Sequence, residues 1–297
     1  MGAQLRVVRR RIRSVQSTKK ITRAMELIAS SRIVKAQQRV EASRPYAVQL
    51  TEAMEDLARN SGSFSHPLLE ERSEPAKAGV LVCTSDRGLA GAYAANEIKE
   101  AEGVLHDVQR RGLEPVLYVS GKKGVGYFRF RGVPIRADWQ GHTEVPTYDV
   151  AEEIGLRLID DFAAGEIDEL YCAYTDFRSA FTLRATAKRF LPIAPEEVTG
   201  RGGKSVHPEY LFEPTPERIL DHLLPQYLIT KVYAALLESS ASENAARRRA
   251  MKAATDNADE LMKILVRQAN RARQDEITTE IMEIVGGAEA LAATSED

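Results

Sequence analysis

The sequence is poor in the residues that most chemistry requires. Among its 297 residues there are two cysteines, Cys83 and Cys172, which excludes a disulfide framework and a cysteine-based zinc site. The histidines His66, His106, His142, His207 and His222 are scattered without the spacing of metal ligands, and each reads as a surface or boundary residue. No apolar run approaches the roughly 18 residues that would span a bilayer, so a soluble chain is expected. Neither sign of charge dominates: 41 Lys and Arg stand against 43 Asp and Glu, a net charge of -2. That argues against a chain basic overall for nucleic acid, though not against a local basic patch. Aromatic residues make up 6%, little for one large globular core and more in keeping with long helices. The length suits about two domains of ordinary size.

What charge there is lies unevenly. Residues 1–60 hold 13 basic and 5 acidic residues, 61–214 hold 18 and 24, and 215–297 hold 10 and 14. Three characters suggest an N-terminal helix over 1–60, a middle domain with its return linker over 61–214, and a C-terminal helix and tail over 215–297. In the first segment Leu5, Val8, Ile12, Val15, Thr22, Met25, Ala29, Ile33, Ala36, Val40, Ser43, Ala47, Leu50, Met54 and Leu57 step by three or four, apart from one gap of seven. This is a narrow helical stripe of the coiled-coil kind, about 80 Å long at 1.5 Å per residue. Pro45 predicts a kink, or a break near Arg44. Residues 1–25 carry eight basic residues and no acid, as a mitochondrial presequence does. The stripe runs on to Leu57, which argues against that reading. The cluster Arg6, Arg9, Arg10, Arg11 and Arg13 is either a solvated face or a basic collar for an acidic partner.

The middle segment alternates strand and helix. Gly79–Thr84, Pro115–Ser120, Val133–Trp139, Leu170–Tyr174 and Leu183–Phe190 read as strands. Leu89 to about Gln109, a short basic stretch after Ser120, and Tyr148–Phe162 read as helices. This order predicts an α/β domain with a mostly parallel sheet. Residues 192–216 read as a linker into a second long helix, with a break near Pro225. On that helix Ala254, Ala258, Leu261 and Leu265 share a face, as do Ile277, Ile281, Ile284, Ala288 and Leu291. Two long terminal helices around one domain pair most economically with each other, antiparallel. The second would then overhang the first by about 20 residues, or roughly 30 Å, and its apolar stripe would need a partner. The alternative is a fold-back at Gly286–Gly287.

Chemistry is hard to find. Gly200–Ser205 lacks the first glycine of a P-loop, since Val198 stands there, and has no strand before it. Ser85–Gly91 follows a strand and precedes a helix, where a phosphate could sit, but lacks the glycine spacing of a dinucleotide site, so a structural turn is favoured. Cys83 and Cys172 fall in strands and are expected in the core. Trp139, the single tryptophan, is expected to pack. No Ser/His/Asp pattern is detectable. No catalytic, nucleotide-binding or metal-ligating residue, and no cofactor, is assigned.

Five segments carry a resemblance. Arg11–Met25, Ser85–Gly91 with Asn96, Pro208–Pro214, Ser242–Ala258 and Asn270–Leu291 together resemble, in order and across nearly the whole chain, the gamma subunit of the F-type ATP synthase. The resemblance implies a non-catalytic rotor shaft: an antiparallel coiled coil inside the ring of alpha and beta subunits, and an α/β domain against epsilon and the c-subunit ring. Proton-driven turning of that ring would be coupled to ATP synthesis or hydrolysis at the beta subunits. It implies that Arg23, Met25, Arg273, Gln274, Thr278 and Glu280 meet beta subunits, and that Tyr210 and Glu213 meet epsilon and the c ring. Ile277, Ile281, Ile284 and Leu291 would be apolar contacts of the shaft tip. Membrane association would come only through the complex, on the cytoplasmic side of a bacterial plasma membrane, with no nucleic acid involved.

The sequence also departs from the family pattern. Ala90 stands where the family often has Cys, and no cysteine pair lies in 192–240, so no thiol switch is expected. Arg247-Arg248-Arg249 is more basic than usual and has no evident partner. The tail Ala292–Asp297 is expected to be disordered. Two other classes are a nucleic-acid-binding coiled coil using the basic N-terminal segment, which would show a steep salt dependence, and a stand-alone α/β enzyme. The latter needs a cleft with a perturbed titratable group.

Overall fold

The computed structural model describes residues 2–60, 66–177, 182–194 and 215–294, and of 2, 3, 58–60, 216, 217 and 289–294 the backbone alone. The elements in order are α1 (Gly2–Asn60), β1 (Lys77–Cys83), α2 (Tyr93–Arg110), β2 (Glu114–Ser120), α3 (Lys122–Phe130), β3 (Ile135–Trp139), α4 (Tyr148–Ala163), β4 (Glu169–Phe177), β5 (Leu183–Leu191) and α5 (Pro216–Thr294). They form two compact units, residues 1–28 with 248–297 and residues 29–247. Among the described residues no helix is long and apolar enough to cross a membrane.

In the 29–247 unit the five strands lie in the order β3-β2-β1-β4-β5. The first three neighbour pairs are parallel and β4–β5 is antiparallel, so the expected mostly parallel sheet is present. Its inner strands are apolar on both faces because each face is covered by helices. Val80, Val82, Val119 and Ala173 meet Ile98, Ala101 and Val108 of α2 and Val125 and Phe128 of α3. On the other face Leu81, Cys83, Tyr118 and Cys172 meet α4 through Ile154, Leu158 and Phe162. The same layer includes Leu224, Leu228, Val232 and Leu236 of α5, and Met54 and Leu57 of α1. The ends of the two long helices that adjoin the sheet are thus part of its core.

Two expected breaks do not occur. Pro45 lies inside α1 and Pro225 inside α5. A mid-helix proline costs about 3 kcal/mol, whereas each fully buried large apolar side chain contributes about 1.5–3 kcal/mol. Leu50, Met54 and Leu57 follow the first proline, and Leu224 and Leu228 bracket the second, all buried. Packing outweighs the lost hydrogen bond. The helix also passes Gly286 and Gly287 without folding back and reaches Thr294, so Ala292–Thr294 continue it. The expected helix from Leu89 starts instead at Tyr93, because Leu89 adopts φ 63° and Gly91 φ 59°. Those values belong to a tight loop and end any helical run.

Every residue of the α1 stripe from Leu5 to Leu57 is buried or half-buried. On α5 one correction applies: Leu261 is 45% exposed, and Met262 is the half-buried neighbour. The covered positions Met251, Thr255, Ala258, Met262, Leu265, Ala269 and Ala272 keep to steps of three and four that pass beside Leu261.

Candidate functional site

In the 1–28/248–297 unit α1 and α5 pair antiparallel, and polar side chains fix their register. Thr22 and Thr255, both buried, place their hydroxyls 2.7 Å apart. Lys19 Nζ donates to Asp259 Oδ1. Lys19 fills the seven-residue gap between Val15 and Thr22, so the interruption in the apolar stripe marks the polar clasp. The sequence placed Thr22 on the stripe but not its contact with Thr255 or the Lys19–Asp259 pair, and that gap was the available signal. The register sets Gly2 level with about Glu276. From there α5 continues alone for about 18 residues, roughly 27 Å, close to the expected overhang.

The expected contact residues fall into two patches along this pair. Arg23 is exposed and donates to Glu26 Oε2 at 2.8 Å, one helical turn on. Met25 is half-buried. Arg23 lines a shallow groove of about 430 Å³ with Gln16, Lys19, Lys20, Ala24, Leu27 and Met262. Beside it Ile21, Leu27 and Ile28 are more than half exposed. The second patch lies about 30 Å further along by helical rise. There Arg273, Gln274, Thr278 and Glu280 are all exposed. Arg273, Ile277, Ile281 and Ile284 follow one another at steps of four, four and three, hence on one stripe. The isoleucines are 45%, 54% and 71% exposed, and Met282 and Val285 widen the apolar surface. Leu291 continues α5, with only its backbone described. Tyr210 and Glu213 lie outside the described residues, as does the 200–205 stretch.

A doubly wound sheet binds ligands beyond the C-terminal ends of its strands, where the strand order reverses, here between β1 and β4. In this chain that crevice is filled from within. Asp86 accepts from the backbone N–H groups of Gly141 (2.8 Å), Thr143 (3.1 Å) and Lys122 (3.1 Å). Burial would raise the Asp86 carboxyl, but these donors prevail and hold it below the usual carboxylate range. Lys122 opens α3, so the chain's own carboxylate occupies the helix start where a phosphate would bind. Ser85–Gly91 is therefore a structural turn, as favoured from sequence.

From above, α5 closes the crevice. Ala246 packs on Ala90 and Tyr93. Arg247 is buried, pairs with Glu243, and points Nη2 at the carbonyls of Arg87 and Gly88, 3.4 Å away. This supplies a partner for Arg247, the first residue of the Arg247-Arg248-Arg249 run. Beneath lies Glu97, fully buried, its Oε1 accepting from the Thr175 hydroxyl while Oε2 has no partner. Burial first, then the neighbouring Cys83 and Glu100, pushes its pKa well above the carboxylate range. Burial likewise raises Tyr93 and the Cys172 thiol. Both cysteines are buried, as expected. Trp139 is half-buried and donates to Glu153 at 3.1 Å. Glu97, Tyr93 and Cys172 are all buried, and among the described residues no cluster of metal-ligating side chains occurs.

The sequence comparisons with known proteins extend over nearly the full length. The ATP synthase family model matches residues 4–291. The ATP synthase gamma chain of Acidothermus cellulolyticus is 52% identical, with all of both chains covered. Those of Thermobifida fusca and Mycolicibacterium smegmatis are 53% and 51% identical, with at least 99% of each chain covered. Among solved structures, a chain of the Euglena gracilis mitochondrial ATP synthase superposes with a TM-score of 0.69 at 16% identity, covering 100% of this chain and 97% of that one. A chain of the Tetrahymena thermophila mitochondrial ATP synthase central stalk and c-ring structure gives 0.59 at 23% identity, covering 79% and 99%. These structural likenesses bear on the fold; the sequence matches identify the family. The chain belongs to the ATP synthase gamma-chain family.

Proposed function

We propose that this chain is the central rotor shaft of an F-type ATP synthase and does no chemistry itself. The observation that carries the reading is the full-length similarity, near 50% identity, to ATP synthase gamma chains. Two features support it: a registered helix pair with an unpaired, apolar-striped end, and a sheet crevice already filled by the chain's own α5. The partners in this reading are the alpha and beta subunits around the helix pair, and the epsilon subunit and c ring at the α/β unit. The chain meets the plasma membrane only through that complex.

The mechanism is a population shift. Each beta subunit has alternative conformations, and the face of the shaft turned toward it favours one of them. Arg273 and Glu280 make charge-assisted hydrogen bonds to beta-subunit loops, and Gln274 and Thr278 make neutral ones. Such bonds hold a register yet exchange as the shaft turns. Arg23 and Met25 meet a beta-subunit lever lower down. Ile277, Ile281, Ile284 and Leu291 turn against an apolar collar, where non-directional contact gives support without locking one angle. Tyr210 and Glu213 face epsilon and the c ring.

The test is reconstitution with alpha and beta subunits, using the full chain and a version ending at Gln268. The full chain should join at one copy per complex and sustain ATP hydrolysis. The shortened chain should join poorly or turn over slowly. Absence of both from the complex would contradict the reading. Strongly salt-dependent binding to DNA would favour a nucleic-acid partner for the basic N-terminal segment instead.

A further inference from the structure

The short segment between β3 and α4 is tied to more of the molecule than its length suggests. It turns closely, with the Val145 N–H donating to the His142 carbonyl at 3.1 Å and Gly141 at φ 92°. Asp86 binds it to the end of β1. Besides accepting from Gly141 and Thr143, Asp86 donates its own backbone N–H to the Thr143 hydroxyl at 2.9 Å. Beside it His142 Nε2 lies 2.9 Å from Ser120 Oγ, at the end of β2. A loop bonded in this way to two strand ends moves with the sheet.

Glu144 carries that attachment to the long helices. Arg32 of α1 donates Nη1 to Glu144 Oε1 at 2.6 Å, and Arg87 Nη1 lies 3.3 Å from Oε2. Ser240 of α5, itself buried, donates its hydroxyl to the Glu144 carbonyl at 3.0 Å. One residue thus joins both α1 and α5 to the edge of the sheet. An exposed ion pair would hold little. The Glu144 side chain, however, is only 16% exposed, and each of its oxygens has its own guanidinium.

The position of Arg32 along α1 is a second observation. Met54 and Leu57 anchor that helix in the core beneath the sheet. Arg32 stands 22 residues before Met54, about 33 Å away by helical rise. A helix anchored at one point can swing about it, whereas two separated anchors fix its direction. Apolar contact resists separation but is non-directional. A charge-assisted hydrogen bond sets a length and a direction.

We propose that Glu144 is a positioning residue for rotary coupling. Through Arg32 and Ser240 it makes α1 and α5 turn with the sheet rather than twist against it. The inference rests on the rotor reading above and adds to it the residue at which the helices are locked to the sheet.

The experiment follows a bead on Gln109→Cys, on the exposed side of α2, in a complete surface-held complex from which ATP is withheld. The spread of its angular fluctuations reports the stiffness of the path from the sheet through the helices. Glu144→Gln and Arg32→Gln should each widen the angular variance about twofold, with no further widening when combined, because both remove the same bond. Arg87→Gln should change it less, since Arg87 lies on the sheet side of the joint. Subunit composition and thermal unfolding should stay as in the unsubstituted complex. Unchanged variance in both single variants, in a complex whose bead turns once ATP is added, overturns this inference alone. Wider variance accompanied by a lower unfolding temperature also overturns it, because the pair is then a folding contact only. A bead on the unsubstituted complex that does not turn with ATP overturns the rotor reading and the inference with it.

Discussion

At the scale of single residues, buried and half-buried carboxylates set opposite responses to pH. Glu97 sits without a donor for its second oxygen, and its folded pKa lies well above the ordinary value of 4.5. The folded state therefore binds a proton that the unfolded state releases from about pH 4.5 upward, so the stability tied to Glu97 falls as pH rises through that window. Glu97→Gln copies the neutral acid. Its stability relative to the unsubstituted chain should increase steadily from pH 5 to pH 8, read by urea unfolding. A constant difference across that range would contradict the account. Asp86 responds the other way, because three backbone donors lower its pKa below 3.8. Its contribution is present above pH 3.8 and is lost as pH falls through the folded value. Asp86→Ala should cost about 1–2 kcal/mol at pH 7 for the stranded donors, and the deficit should shrink in acid.

At the scale of elements, the close approach of α4 and α5 depends on Gly155. A Cβ there would lie 2.7 Å from Ile229 Cγ1 and 3.3 Å from Ile229 Cα, so the helices must separate to admit it. Gly155→Ala should destabilise by about 1–3 kcal/mol in spite of its better helix propensity. A stabilising result in thermal unfolding would show that α5 is not seated there. Periodicity made most elements legible beforehand. The α1 stripe from Leu5 to Leu57 is legible because a helix with one covered side repeats its apolar residues. The strands around Val80, Leu117 and Leu170 are legible because sheets covered on both faces read as short apolar runs. Failures came where a local rule met tertiary packing. Pro45 and Pro225 break no helix, because burial on either side outweighs one missing bond. The start of α2 was placed too early, because the left-handed loop at Leu89 is held by Asp86 and Arg247, residues distant from one another in sequence. The gap in the α1 stripe marked Lys19 but not its partner Asp259, and the Glu243–Arg247 pair was illegible because a buried ion pair looks in sequence like a solvated one.

At the scale of the whole molecule, the proposed role of the chain is to transmit position with no active site of its own. The filled crevice between β1 and β4 and the unpaired end of α5 belong to that single reading. Removing the residues beyond Gln268 should leave the cooperative unfolding of the α/β unit unchanged while impairing assembly with alpha and beta subunits. Loss of α/β stability on truncation would instead make the helix end a folding element. The central claim is that the chain turns inside its complex. Both native cysteines are buried, so Gln109→Cys on the exposed side of α2 provides a reactive thiol of its own for a bead. The decisive measurement is single-molecule observation of that bead on a surface-fixed complex of alpha, beta and this chain supplied with ATP. The account predicts sustained rotation in one direction that stops when ATP is removed. A bead that stays fixed, or only wanders without direction, while the complex hydrolyses ATP would contradict it.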